Sequence, residues 1–269
     1  MDSSRFYPIW FSMFFICIFN YKYEVMINEI HLGDCLELMK DIPDGSIDMI
    51  LCDLPYGSTA FKWDVVIPFD KLWDQYKRII KENGAIVLTA QQPFATDLIN
   101  SNRKLFRYEI IWEKTMKLGF LNANKMPLKG HENILIFYKK LPTYNPQKTQ
   151  KTGRARKRNQ KENRYAGYSN FRSSSTVDDG SRHPHSVVKF SNKNKNSGIH
   201  PTQKPVDLFE WLIKTYSNEG DLVLDNCSGS GTTAIACLKT NRKYICIEKD
   251  TEYFEKSVSR VELFKNNKT

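Results

Sequence analysis

Four short runs of almost uninterrupted apolar residues constrain this chain most: M-I-L-C at 49–52, A-I-V-L-T-A at 85–90, L-V-L-D at 222–225 and Y-I-C-I-E at 244–248. A strand that is apolar on both of its faces needs cover on both, which is the habit of a parallel sheet packed between helices. The stretches between the runs supply those helices. Residues 69–82 carry Phe69, Leu72, Trp73, Tyr76, Ile79 and Ile80 at helical spacing, so one face is apolar, and Asn83-Gly84 reads as the stop. Further strands are expected near 28–32, 107–113 and 133–138. Further helices are expected in G-D-C-L-E-L-M-K, from Pro205 to about Tyr216, from about Thr232, and at the end of the chain. The expected fold is α/β, a doubly wound, Rossmann-like and mostly parallel sheet.

At 269 residues and 41% hydrophobic, the chain can bury one large core and still carry an insertion. The net charge of +10 is unevenly spread. Between Lys139 and Lys204 there are 16 Lys and Arg against three acids, a surplus of 13, so the remainder sums to −3. A basic surplus confined to one segment indicates a polyanion-binding face on a neutral body. Aromatics interleave it at Tyr144, Tyr165, Tyr168, Phe171 and Phe190, as in surfaces that meet nucleic acid. A solvated linker rich in Asn, Ser and Gly is the alternative. The densest cluster, Arg154, Arg156, Lys157 and Arg158, is expected to grip phosphates.

The six cysteines (17, 35, 52, 227, 237 and 246) are scattered and mostly lie in apolar runs. They read as small buried hydrophobes of a reducing compartment, and no metal site is expected. Residues 1–25 are strongly apolar and aromatic, too short for a comfortable membrane span and without a cleavage signature. They are expected to lie outside the fold, with a membrane anchor as the alternative. The expected divisions are 1–25 as an extension, 26–138 and 200–269 as two halves of one domain, and 139–199 as a basic insertion.

Two strand ends carry chemistry. L-D-N-C-S-G-S-G-T-T-A at 224–234 ends a strand in Asp225, turns through Gly229 and Gly231, and opens a helix near Thr232. Glycines admit a ligand close to backbone, and the helix start offers free N–H groups. Glu248 ends the next strand, where a carboxylate can hold ribose hydroxyls. Taken alone, this loop fits a dinucleotide nearly as well as S-adenosylmethionine. Asp225 favours the latter, because an acid suits a ligand ammonium and not a diphosphate. The other strand end is C-D-L-P-Y-G at 52–57, where a core strand breaks the surface with a carboxylate, a rigid proline and an aromatic ring.

Together, D-L-P-Y (53–56), H-P-T-Q-K-P (200–205) and D-N-C-S-G-S-G (225–231) resemble three motifs of the S-adenosylmethionine-dependent amino DNA methyltransferases. Their order resembles the circularly permuted beta class, from about Met26 to the C-terminus. The resemblance implies that Asp53 and the Leu54 carbonyl accept from the target amino group, that Pro55 fixes the turn, and that Tyr56 stacks on a flipped base. It implies that Asp225, Ser228, Gly229, Ser230, Gly231 and Glu248 hold S-adenosyl-L-methionine, with Lys204 and Pro205 by its methionine end and Asp34 at its adenine. Two positions depart from the family pattern. Leu54 stands where proline is usual, and Asn226-Cys227 stand where proline and an aromatic are common.

The implied activity is methylation of adenine N6 in double-stranded DNA, within restriction-modification, in the cytoplasm and without a membrane partner. A companion restriction nuclease and a homodimer are left open. Cytosine-N4 methylation is the alternative, since its family members commonly begin the motif with Ser in place of Asp53. Protein-glutamine methylation, whose motif starts with Asn, and a non-catalytic DNA-binding module fit less well.

Overall fold

The computed structural model describes residues 23–150, 179–193 and 203–267, together with the backbone of 157–159 and 175–177. In chain order its strands are β1 (Glu29–Leu32), β2 (Ile47–Asp53), β3 (Ile80–Ala90), β4 (Phe106–Leu118), β5 (Lys129–Phe137), β6 (Thr149–Gln150), β7 (Lys157–Asn159), β8 (Ser175–Val177), β9 (Ser181–Arg182), β10 (Val187–Phe190), β11 (Leu222–Asp225) and β12 (Lys243–Glu248). The helices are α1 (Cys35–Leu38), α2 (Phe69–Ile79), α3 (Phe94–Ser101), α4 (Val206–Tyr216), α5 (Thr232–Lys239) and α6 (Thr251–Asn266). No described helix is long and apolar enough to cross a membrane.

Eight strands form one sheet in the order β1-β12-β11-β2-β3-β5-β4-β10. The first five run parallel, β5 is antiparallel to both β3 and β4, and β10 lies parallel to β4 at the edge. Alternate residues of each central strand feed two cores. Ile50, Cys52, Ile86, Leu88, Leu224 and Ile247 pack with α2 and α3, whereas Met49, Leu51, Val87, Val223 and Cys246 pack with α4, α5 and α6. This two-sided burial is why the sequence shows continuous apolar runs in place of alternation.

The crossover helix after β11 covers one face and leads outward to β12, whereas that after β2 covers the other face and leads to β3. Strand order therefore reverses between β11 and β2, which pair directly through Val223–Met49 and Leu224–Ile50. Ligands of open α/β sheets bind at such a point, beyond the carboxyl ends of the strands.

Three elements differ from expectation. The helix over 69–82 ends at Ile79, and Ile80 is already extended and paired with Ile47. Ile79 and Ile80 are both buried, which a helix end and a strand start can do together. Gly84 lies inside the strand, at a position where an added Cβ would come within 2.8 Å of the Asp48 carbonyl. The helix expected in 33–40 shrinks to α1 followed by a single tight turn, Met39–Asp41. The strands at the β4–β5 end carry longer, antiparallel pairing than the short runs suggested.

The chain falls into two compact units. One takes in the sheet and its helices, the described residues up to Asn145 and from Ser186 onward, so β10 belongs with the sheet. The other, Pro146–His185, holds two antiparallel ribbons, β6 with β9 and β7 with β8. Tyr23 and Met26 already pack against the first core.

Candidate active site

β2 ends on Asp53 because Pro55, which has no N–H, cannot continue the ladder. Leu54 drops its side chain into the core at 3% exposure, which anchors the turn where the family pattern has a stiffer proline. The following loop folds around a residue that the sequence did not single out. The Asp64 carboxylate accepts from the Gly57, Ser58 and Thr59 amides at 2.8, 2.9 and 2.7 Å and from the Thr59 hydroxyl. Burial would raise its pKa, but those donors outweigh it and hold the carboxyl below the usual range. Gly57 takes φ of 65° at this bend, a conformation that suits glycine.

Asp53 meets three donors. Its Oδ1 accepts from the Tyr56 hydroxyl at 2.8 Å and from the Thr89 hydroxyl, and its Oδ2 accepts from Lys204 Nζ at 2.6 Å. The Tyr56 ring lies 5.0 Å from that of Phe94 and 5.7 Å from the Lys204 ammonium, centroid to partner. Burial, with the Asp53 charge next, pushes the Tyr56 phenol well above its ordinary value, so it remains a neutral donor.

Lys204 is 8% exposed and faces a second carboxylate, with Nζ 3.4 Å from Glu132 Oε2 on β5. Glu132 Oε1 is itself held by Lys114 Nζ at 2.5 Å and by Gln91 Nε2 at 2.8 Å. Burial works against charge in this cluster, and the charges win. Burial would lower the Lys204 ammonium, but Asp53 and Glu132 hold it above the lysine range; burial would raise the Glu132 carboxyl, but Lys204 and Lys114 hold it below the usual one.

The glycine loop stands beside this cluster, at the carboxyl end of β11. Asp225 is 2% exposed and accepts from the Thr233 hydroxyl and from the Cys227 amide at 3.1 Å. Burial pushes its carboxyl up to about 7. Gly229 and Gly231 take φ of 52° and 73°. Gly231 also lies where an added Cβ would crowd Ser257 at 3.2 Å. The Gly229 amide donates to Glu248 Oε2 at 2.7 Å, which ties the loop to the end of β12, and burial raises the Glu248 carboxyl.

Asn226 does not face outward. It is buried and accepts from the Tyr76 hydroxyl of α2 at 2.5 Å. Asp34 caps α1 through the Leu36 amide and pairs with Lys249 at 3.0 Å. Because Leu32 of β1 is the register partner of Glu248, Asp34 follows the strand end next to it.

These residues fit a cofactor that carries an ammonium and a ribose. Asp225 is a buried acid, Glu248 caps the neighbouring strand, and Ser228 Oγ is buried with no hydrogen-bond partner among the described residues. Of the expected site residues, Asp53, Leu54, Pro55 and Tyr56 lie at one strand end; Asp34, Asp225, Ser228, Gly229, Ser230, Gly231 and Glu248 gather at the ends of the three strands on the other side. Lys204 sits against Asp53, with Pro205 as the cap of α4. Arg154 and Arg156 lie outside the described residues, as do His200, Pro201 and Thr202; Lys157 and Arg158 fall on β7, where only the backbone is described.

A strand-end acid beside a glycine loop at the reversal point of a doubly wound sheet marks a site for a nucleoside-bearing cofactor. The N6/N4 methyltransferase family, described as DNA methylase, matches residues 47–259, and the chain belongs to that family. It is 31% identical over 253 residues to the DNA adenine methyltransferase YhdJ of Escherichia coli (strain K12), covering 86% of this chain and 81% of that one.

Two solved structures share the fold. The M1.HpyAVI–SAM complex superposes with a TM-score of 0.60 at 23% identity, covering 87% of this chain and 98% of that one. The cytosine-N4-specific PvuII DNA methyltransferase superposes with a TM-score of 0.63 at 17% identity, covering 89% and 91%. The enzyme is an S-adenosylmethionine-dependent DNA amino-methyltransferase of the beta class.

Thr89, Asp64, Glu132, Lys114 and Gln91 were missed from the sequence. Only the pair of charges inside apolar strands, W-E-K at 112–114 and H-E-N-I-L-I-F at 131–137, carried a signal. A charge interrupting a buried strand needs a buried partner.

Proposed function

We propose that the chain is a site-specific DNA methyltransferase acting on the exocyclic N6 amino group of a flipped adenine. The observation that carries the reading is Asp53, a carboxylate fixed at the end of β2, one strand away from the Asp225 loop. An exocyclic amine is a poor nucleophile because its lone pair is delocalised into the ring. Asp53 and the Leu54 carbonyl accept its two N–H groups, favour a pyramidal nitrogen, and stabilise the positive charge that grows there. Fixed acceptors of this kind are worth about 3–4 kcal/mol each in a dry site. The bound cofactor supplies an activated methyl group.

The base leaves the stack at a cost of a few kcal/mol, and stacking on Tyr56, backed by Phe94 at 5.0 Å, offsets part of it. Asp225, Ser228, Gly229, Ser230, Gly231 and Glu248 hold the cofactor, with Asp34 at its adenine and Lys204 and Pro205 near its methionine end. The basic stretch between Lys139 and Lys204 supplies the phosphate contacts, in a cytoplasmic enzyme.

Asp53 as the first residue of its motif favours adenine, as does the likeness to an adenine methyltransferase across most of both chains. Cytosine-N4 methylation, which uses nearly the same acceptors, is the second reading. Expressing the full chain in a methylation-deficient host and mapping modified bases tests this. N6-methyladenine at one recurrent sequence supports the proposal, and N4-methylcytosine moves the assignment to the second reading.

A further inference from the structure

Asp53 faces a conflict in the geometry of its own site. An acceptor meant to stabilise positive charge on a nitrogen is already paired with the Lys204 ammonium at 2.6 Å. That ammonium sits beside the place where like charge would develop, and like charges in a low-dielectric site oppose each other strongly. Lys204 has an alternative. Glu132 is pinned through Oε1 by Lys114 and Gln91, and this aims its Oε2 at Lys204 Nζ from 3.4 Å. Oε2 is buried and has no hydrogen bond among the described residues. The ammonium closes that gap by moving only about 0.5–0.7 Å, to an ordinary charge-assisted distance of about 2.7–2.9 Å. Thr89 and Tyr56, the other donors to Asp53, bring no charge.

We propose that Glu132 is a positioning residue that draws the Lys204 ammonium off Asp53 when the target amino group arrives. Asp53 then meets the reacting nitrogen as an uncompensated carboxylate. Before the base enters, Lys204 holds the carboxylate in position at 2.6 Å; afterwards it rests between Glu132 and the emptied position. Lys114 keeps the four-charge cluster neutral in both arrangements. The inference rests on the proposed amino-group chemistry of Asp53, and it assigns to Glu132 a part that touches neither base nor cofactor.

The test is a double-mutant cycle read by single-turnover methyl transfer to a cognate duplex at saturating cofactor, with cofactor affinity measured alongside. Glu132→Gln keeps the shape and an acceptor for Lys114 but removes the charge that attracts Lys204. Transfer should slow about 10- to 100-fold, with cofactor affinity within a few-fold of wild type. Because Glu132→Gln strands the buried Lys114 charge, the pair Glu132→Gln with Lys114→Met guards against a folding defect and should show the same slow step. In a Lys204→Met background, which should retain measurable transfer, adding Glu132→Gln should change the rate by less than about threefold.

Equal losses in the two backgrounds would make Glu132 merely structural and overturn the proposal. So would a loss below threefold in the single variant, or a Lys204→Met enzyme with no measurable transfer. A wild-type protein that methylates no DNA amine would instead contradict the function proposed above, before the cycle is read.

Discussion

Thr89 is the register partner of Asp53 across β2 and β3, and its hydroxyl donates to Asp53 Oδ1. The two side chains leave neighbouring parallel strands on the same side, so the sheet itself fixes the carboxylate to which the proposed function assigns the chemistry. Thr89 is fully buried, and its hydroxyl also accepts from Tyr56 at 3.1 Å. Thr89→Val should therefore cost more than a hydrogen bond at a flexible site. A bond to a charged group is worth about 1.5–3 kcal/mol, so methyl transfer should fall about 10- to 100-fold. Cofactor affinity by calorimetry should hold, and Thr89→Ser should restore most of the rate.

The burial of Asp225 predicts a pH dependence for cofactor binding. Its carboxyl, pushed up to about 7 by burial, must be ionised to pair with a ligand ammonium. Cofactor affinity should therefore rise as pH increases from about 6 to 8, and Asp225→Asn should both weaken binding and flatten that profile. Linkage fixes the sign for stability. The folded pKa lies above the unfolded value of about 3.9, so the native state holds the extra proton between about pH 4 and 7. In the ligand-free protein, the Asp225 contribution to stability falls as pH rises through that window, and it is constant above it. Urea melts of wild type and Asp225→Asn at pH 5 and 8 check this: the wild type should lose more between the two.

Tyr76 and Asn226, 150 positions apart, join α2 to the glycine loop through a buried hydrogen bond of 2.5 Å. Tyr76→Phe leaves the Asn226 amide oxygen without that donor. Unfolding free energy should drop by about 1–3 kcal/mol, which for a domain of this size lowers the melting temperature by roughly 2–4 °C per kcal/mol. Thermal melts with and without cofactor would show it.

The basic segment predicts a salt signature. Neutralising Arg154, Arg156, Lys157 and Arg158 together should flatten the dependence of non-cognate duplex affinity on log salt by about three to four units, if each grips a phosphate at about 0.9 per contact. All sequences should weaken alike. An unchanged slope would place the phosphate grip on other residues.

The legible part of this fold is local. The apolar runs announced strands covered on both faces, and Asp53, Gly229, Gly231 and Glu248 stood out because turn chemistry and strand ends are written in consecutive residues. Residues that act by converging from separate strands were not legible. Thr89 read as one more buried strand position, and its bond to Asp53 depends on a register that no local pattern states. Glu132 and Lys114 sit on β5 and β4, 18 residues apart, and only the antiparallel pairing of those strands brings them together. The end of α2 was misplaced because Ile80 satisfies helical spacing and strand burial equally. Its backbone followed the pairing with Ile47.

The most direct test of the central claim compares wild type with Asp53→Ala by nucleoside mass analysis of duplex DNA after incubation with isotopically labelled S-adenosylmethionine. The wild type should yield labelled N6-methyladenine and the variant a rate about two to three orders of magnitude lower, with cofactor affinity nearly unchanged. Asp53→Ala that transfers methyl groups as fast as wild type would contradict it, because the carboxylate at the end of β2 would then not be the acceptor on which the chemistry rests.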